Sequence, residues 1–199
     1  MDTKETILFN ALEMFARTGY NTVSIRDIAG TVGIKESSIY YHFRNKQDIL
    51  DSIMERYESH IKGLTDILNA AVTDMDGSGP LTFQAMKDYF FEQYLFDPFC
   101  NQVMRLMMLE QFHNETIRAL YNRYLFELPE RIQTEAFRTV SRSGAMSESD
   151  ALRISRMFFS VMTTLTFRYL LNGELTETKK QAFCKEAFSF FDSVSGGEI

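Results

Sequence analysis

Thr22 to Leu50 reads T-V-S-I-R-D-I-A-G-T-V-G-I-K-E-S-S-I-Y-Y-H-F-R-N-K-Q-D-I-L, and the whole fold turns on how this stretch is read. Ser24 stands before an apolar-periodic run, and Asp27 follows three residues later. That spacing lets the Ser hydroxyl accept from a first-turn amide while the Asp carboxylate reaches back, so a helix is expected to start near Ile25. Its apolar positions Ile25, Ile28, Ala29 and Val32 recur at helical spacing. Gly33 comes next, a residue able to take positive φ where a helix ends and the chain turns sharply. Ile34 can plug the angle that results. A second short helix, predicted from about Glu36 to Phe43, sends Ile39 and Phe43 inward at i and i+4 and leaves Ser37, Ser38, Tyr40, Tyr41 and His42 on other faces. Such a face is polar, aromatic and short, the size of a major groove. Asn45 with Asp48 repeats the cap signature and opens a third helix.

These residues resemble the DNA-binding end of the tetracycline-repressor (TetR) family of bacterial and archaeal transcription regulators. The resemblance is carried by Phe15, Gly19, Tyr20, Ser24, Ile28, Ala29, Val32, Gly33, Ile34, Ile39, Tyr40, Phe43, Lys46 and Leu50, in order and without a gap. It covers roughly the first quarter of the chain; the rest matches in length and helical layout. Carried over by position, the resemblance implies phosphate contacts from Ser24, Tyr41, His42 and Lys46, with Ser37, Ser38 and Tyr40 nearest the base edges. Tyr40 has an alternative, packing beside Ile39. The chain departs from the family at Lys35, where a Ser commonly caps the recognition helix, and at Glu36, where a small or basic residue often follows. Lys35 cannot accept an amide, so the cap must come from Ser37 or water. Glu36 favours the helix dipole yet repels phosphate, or reads a cytosine amino group.

Net charge is the first objection to a DNA partner, since the 199 residues carry −6. The distribution answers part of it. From Arg17 to Gln47 five basic residues (Arg17, Arg26, Lys35, Arg44, Lys46) face two acidic ones (Asp27, Glu36), a local net of +3. An acidic body behind a basic face would orient the protein on the duplex, because phosphate neutralisation is local and salt-sensitive. No window approaches the roughly 18 apolar residues of a membrane span, and the first residues are polar and acidic where a secretory signal would be basic then apolar. A cytoplasmic protein with no membrane partner is expected. Cys100 and Cys184 lie in apolar helical runs and read as buried reduced thiols.

Before the module, Thr3 to Thr18 carries the stripe Ile7, Leu8, Ala11, Leu12 and Phe15, ending at Gly19. After it, Asn45 to about Val72 makes a long apolar stripe suited to a rigid link, and Asp74 to Pro80 is a loop by every turn signal. The remainder reads as helices of about Leu81 to Phe96, Pro98 to His113, Glu115 to Ser141, Glu148 to Leu171 and Thr178 to Ser193. Gly144 and Gly173 suit helix ends, and Ser147 with Asp150 suits a cap. Pro129 should kink or break its helix near Leu128. The expected fold is all-α: an N-terminal three-helix helix-turn-helix module over 1–46 and a C-terminal helical ligand-binding and dimerisation bundle over 47–199.

Two late segments carry apolar residues on more than one face: Ala151 to Tyr169, with Phe158, Met162 and Leu165, and Ala182 to Val194, with Phe183, Ala187 and Phe190. A helix packed only on its own subunit needs one stripe. The surplus points to pairing across a twofold axis, as the resemblance also implies; burial within one subunit is the alternative. The middle helices interleave Phe90, Tyr94, Met104, Met107, Met108, Tyr121 and Tyr124 with Glu110 and Gln111. Residue by residue such a stripe is core. As a set, thioethers and rings could line an adaptable pocket, and the family's corresponding region binds small molecules. After Lys62 the body carries 13 basic and 18 acidic residues, net −5, which favours an apolar or aromatic effector, with a cationic one possible through Glu110, over a polyanion. Glu110 and Glu92 read otherwise as surface carboxylates.

Catalysis is not expected. Glu110 and His113 form a lone Glu-x-x-His where di-iron chemistry needs a second copy and further carboxylates. His42, His60 and His113 are scattered, neither Cys has a partner at metal-ligand spacing, and no phosphate loop or nucleophile elbow is present. No metal or cofactor is expected. The reading is a homodimeric repressor bound to a double-stranded DNA operator and released by a small apolar or aromatic effector. Its rival is an all-α interaction or scaffold protein whose first helices contact protein.

Overall fold

A computed structural model describes residues 2–73, 87–142 and 147–195. Every regular element among them is helical, in the order α1 (Thr3–Thr18), α2 (Ile25–Val32), α3 (Glu36–His42), α4 (Lys46–Thr73), α5 (Lys87–Leu95), α6 (Pro98–Glu110), α7, α8 and α9 (Glu177–Ser195). Helix α7 runs through Glu115–Asn122, Arg123–Glu127 and Leu128–Arg142, and α8 through Glu148–Leu165 and Thr166–Leu170. The loop expected over Asp74 to Pro80, the first turn expected from Leu81, and Gly144 lie outside the described residues. No helix of the described residues is long and apolar enough to cross a membrane.

The chain divides into two compact units, one of residues 1–62 with 102–121 and the other of 63–101 with 122–199. The first unit holds α1 to α3, whose core is Ile7, Leu12, Phe15, Ile28, Ile39 and Phe43, each at most 2% exposed. These are the inward positions that helical periodicity picks out. Burying a side chain of this size stabilises by roughly 1.5–3 kcal/mol, so the stripe outweighs the weak intrinsic stability of helices only seven or eight residues long.

In the second unit the irregularity expected near Leu128, ahead of Pro129, is a change of register. No break occurs. Instead α7 widens into π register over Arg123–Glu127 and returns to α register at Leu128, whose N–H donates to the Arg123 carbonyl. A proline nitrogen cannot donate to the carbonyl four residues back, and a turn of i→i−5 register passes such a residue without breaking the helix. Two more π segments, Lys87–Leu95 and Thr166–Leu170, were not foreseen.

The expected surplus of apolar surface on α8 and α9 also needs correction. Phe158, Met162, Leu165, Phe183 and Ala187 are buried within the chain itself. Phe158 meets the Phe137 ring of α7 at 5.9 Å, and Phe183 meets Phe91 at 5.2 Å and Phe96 at 5.6 Å. Both helices have more than one neighbour in their own subunit, so apolar residues on several faces are used internally. Among the described residues of these helices Met157 is exposed and Val161, Tyr169, Phe188 and Phe190 are half-buried, so part of the apolar face remains open to a second copy. Cys100 is fully buried, and burial pushes its thiol far above the ordinary range, which makes it inert.

Candidate nucleic-acid interface

The reading module is held at each turn by a named polar contact. Ser24 Oγ accepts from the Asp27 N–H at 3.1 Å, and Asp27 Oδ2 accepts from the Ser24 N–H at 2.8 Å, a complete capping box. Those hydrogen bonds hold the Asp27 carboxyl below its usual value. At the other end of α2, Gly33 takes φ 76° and ψ 32°, the left-handed cap that turns the chain toward α3. Asn45 Oδ1 accepts from the Asp48 N–H at 2.9 Å to start α4, while Asp48 reaches back to the Arg44 N–H and its guanidinium.

Helix α3 then presents its outer face. Ile39 and Phe43 are buried; Lys35, Glu36, Ser37, Tyr40 and Tyr41 are exposed, with Ser38 and His42 half-buried. Tyr40 is 55% and Tyr41 86% exposed, large values for aromatic side chains. Of the two expectations for Tyr40, packing is therefore the weaker. The Tyr41 ring meets His42 edge-on at 5.2 Å. Lys35 makes no side-chain cap, as its chemistry requires; the first turn is closed instead by the Ser38 N–H donating to the Lys35 carbonyl at 2.9 Å.

Two expected site residues have other work. Lys46 is turned inward: its Nζ donates to the Tyr20 carbonyl at 2.9 Å and the Val23 carbonyl at 2.8 Å, and lies 4.2 Å from the Tyr20 ring centroid. Two of its three protons are thus committed within the module. Burial lowers its pKa, and the Glu110 carboxylate partly offsets that. Glu110 is no surface carboxylate. It is 6% exposed, and its Oε1 accepts from the Tyr20 N–H at 2.8 Å. The last residue of α6 therefore anchors the turn between α1 and α2, where Gly19 sits at φ 89° and ψ 153°. A Cβ on Gly19 would come within 3.1 Å of that same Oε1. Nothing local in the sequence joins residues 90 positions apart, and this anchor was not legible there.

The other residues expected around an effector fall into separate units. Met104, Met107, Met108, Gln111 and Tyr121 belong to the first, where Met104 and Met107 are fully buried. Phe90, Tyr94 and Tyr124 belong to the second, where the Phe90 and Tyr94 rings lie 5.3 Å apart and the Tyr94 hydroxyl donates to the Tyr124 carbonyl at 3.1 Å.

The model of the bacterial regulatory proteins of the tetR family matches residues 7–53. Over 94 residues the chain is 33% identical to the IcaR negative transcriptional regulator of the biofilm operon icaADBC of Staphylococcus aureus, a match over 47% of this chain and 46% of IcaR. The chain thus aligns with about half the length of that relative. A Saccharomonospora viridis protein crystallised in complex with choline shares the fold at TM-score 0.63 and 22% identity, over 95% of each chain. A transcriptional regulator from Aquifex aeolicus does so at TM-score 0.59 and 21% identity, over 96% of this chain and 99% of its own.

Proposed function

We infer that the chain, whose residues 7–53 match the tetR family of bacterial regulatory proteins, is a sequence-specific DNA-binding repressor that works as a homodimer and leaves its operator when a small apolar or aromatic effector binds. The observation that carries this reading is the outer face of α3. Seven residues on a two-point buried anchor (Ile39, Phe43) hold Ser37, Tyr40 and Tyr41 free in a form that fits one major groove. Repression is preferred to activation because the matched S. aureus relative is a negative regulator.

The exposed face of α3 supports an assignment of contacts. Lys35, Ser37, Tyr40 and Tyr41 face bases and backbone, with Glu36 placed to accept from a cytosine amino group or to repel phosphate. Lys46 and Ser24 act one step back, since their polar atoms hold the module together. Glu110 is a positioning residue that fixes the α1–α2 turn. A choline complex in a protein of the same fold makes a small organic cation a plausible occupant of such a body. In mechanism the effector tilts α4 and alters the spacing of the two α3 helices, which then no longer match major grooves about 34 to 36 Å apart.

Hydroxyl-radical footprinting on the DNA upstream of the gene tests this. The expected result is protection in two blocks on one face of the duplex, about one helical turn apart. A scaffold protein using α1 to α3 for protein contact gives no protected block.

A further inference from the structure

The second unit holds an acceptor that the described residues leave unanswered. Gln133 on α7 is 7% exposed, and its Oε1 has no hydrogen-bond partner. The other buried polar side chains of this unit are engaged: Asn101 Nδ2 donates to the Leu170 carbonyl at 2.9 Å, and the Ser155 hydroxyl pairs with that of Thr134 at 3.3 Å. A buried amide oxygen without a donor is costly, so a chain that keeps one has a use for it.

Its surroundings say what the use is. Gln133 and Phe137 stand four residues apart in the α-register part of α7, on one face of the helix. That face meets α8, because Phe137 meets Phe158 edge-on; earlier in α7, Phe126 stacks on Phe167 with centroids 6.3 Å and planes 21° apart. Gln133 therefore lies in the α7–α8 seam between two aromatic pairs. The charged residues of this stretch, Glu127, Glu130, Arg131 and Glu135, are exposed, so the seam itself is neutral. The backbone is also unusual here. All three π segments of the unit are joined: Tyr94 of the first bonds Tyr124 of the second, Phe126 of the second stacks on Phe167 of the third, and the third ends at the Leu170 carbonyl that holds Asn101. Segments of π register are frequent at functional sites.

We propose that the α7–α8 seam at Gln133 is a binding subsite for a small neutral aromatic molecule that offers one N–H or O–H donor to Gln133 Oε1. It rests on the reading of the body as effector-binding and narrows the effector from apolar or aromatic to a neutral donor-bearing ring.

Indole and benzofuran are the probes, matched in shape and differing by N–H against ether oxygen. The chain has no Trp, so indole fluorescence is read against Tyr alone, and benzofuran is followed by competition. The wild type is expected to bind indole about tenfold more tightly than benzofuran. Gln133→Met should erase that preference and, without probe, raise the melting temperature by about 2–4 °C, because it replaces an unmet acceptor with an apolar chain of similar shape. Gln133→Leu provides the same comparison if the Met variant folds poorly. Equal affinities, tighter benzofuran, no binding of either, or a lowered melting temperature in both variants would overturn the proposal. Binding of the upstream DNA is measured on the same samples. Loss there by the wild type defeats the regulator reading and leaves the seam result standing; retained DNA binding with no probe preference defeats the seam alone.

Discussion

In the reading module, short helices begin and end on side chains; in the body, long helices change register where no side chain marks the change. Between Ser24 and Asp48 a capping box, a left-handed glycine and an Asn cap fix three helix ends within 25 residues. Between Lys87 and Leu170 π register makes up the whole of α5, a stretch within α7 and the end of α8, and the residues flanking those of α7 and α8 make no side-chain cap. The module is thus specified locally and should tolerate little change at its turns. The body is specified by packing, and an acceptor there is left open. Substitutions at five positions sharpen or break that contrast.

The largest effect is expected for Phe183→Ala in the body. The ring is fully buried against Phe91 and Phe96, and its removal should cost about 3–5 kcal/mol in chemical denaturation. The loss should not vary with protein concentration; a concentration-dependent loss would return Phe183 to a subunit interface.

Gly19→Ala comes next. The backbone there is in a region essentially reserved for glycine, which alone costs about 1–3 kcal/mol, and the new methyl group also crowds Glu110 Oε1. Gly33→Ala, at φ 76° with open space around its Cβ position, should cost less, about 1–2 kcal/mol. Equal losses at the two sites would mean that the Glu110 contact adds nothing.

Glu110→Ala leaves the Tyr20 N–H unmet in a half-buried position, worth about 1–3 kcal/mol, and should weaken DNA binding although residue 110 is far from α3 in sequence. Glu110→Gln retains an acceptor and should restore most of that binding. If both variants bind DNA as the wild type does, the anchor has no role in positioning the module.

Ser24→Ala removes the cap oxygen and should cost about 1 kcal/mol. It also has a pH signature. Hydrogen bonds from Ser24 hold the Asp27 carboxyl below its ordinary 3.8, and hydrogen bonds from Arg44 do the same for Asp48. A carboxyl with a depressed folded pKa stabilises above its unfolded value and loses that contribution as pH falls through the folded one. Melting of the wild type should therefore fall off below about pH 4, and more shallowly in Ser24→Ala. Identical acid profiles would separate Asp27 from the cap.

What was legible in the sequence follows the same division. Ser24, Asp27, Gly33, Asn45 and the stripe through Phe43 are contiguous signals, each acting over three or four residues, and helical spacing alone reads them. The Glu110 to Tyr20 bond joins elements 90 residues apart, and no local pattern announces it. Lys46 illustrates a subtler miss: the resemblance gave its position to the interface, but the direction of a flexible side chain depends on carbonyls at Tyr20 and Val23 that only the folded turn brings together. On α8 and α9 the apolar surplus was real, yet a pattern on one helix cannot tell a neighbour in the same chain from a second copy. Nothing in the sequence singled out Gln133, because a missing donor is a property of the folded seam.

The claim at the centre of the account is that a chain of net charge −6 binds DNA through a small basic module. The most direct test is the dependence of log K on log salt for binding to the upstream DNA. The account predicts a straight line of steep negative slope, about −0.9 for each phosphate neutralised, with the slope kept in Lys46→Ala because that ammonium is spent inside the module. A slope near zero would contradict it.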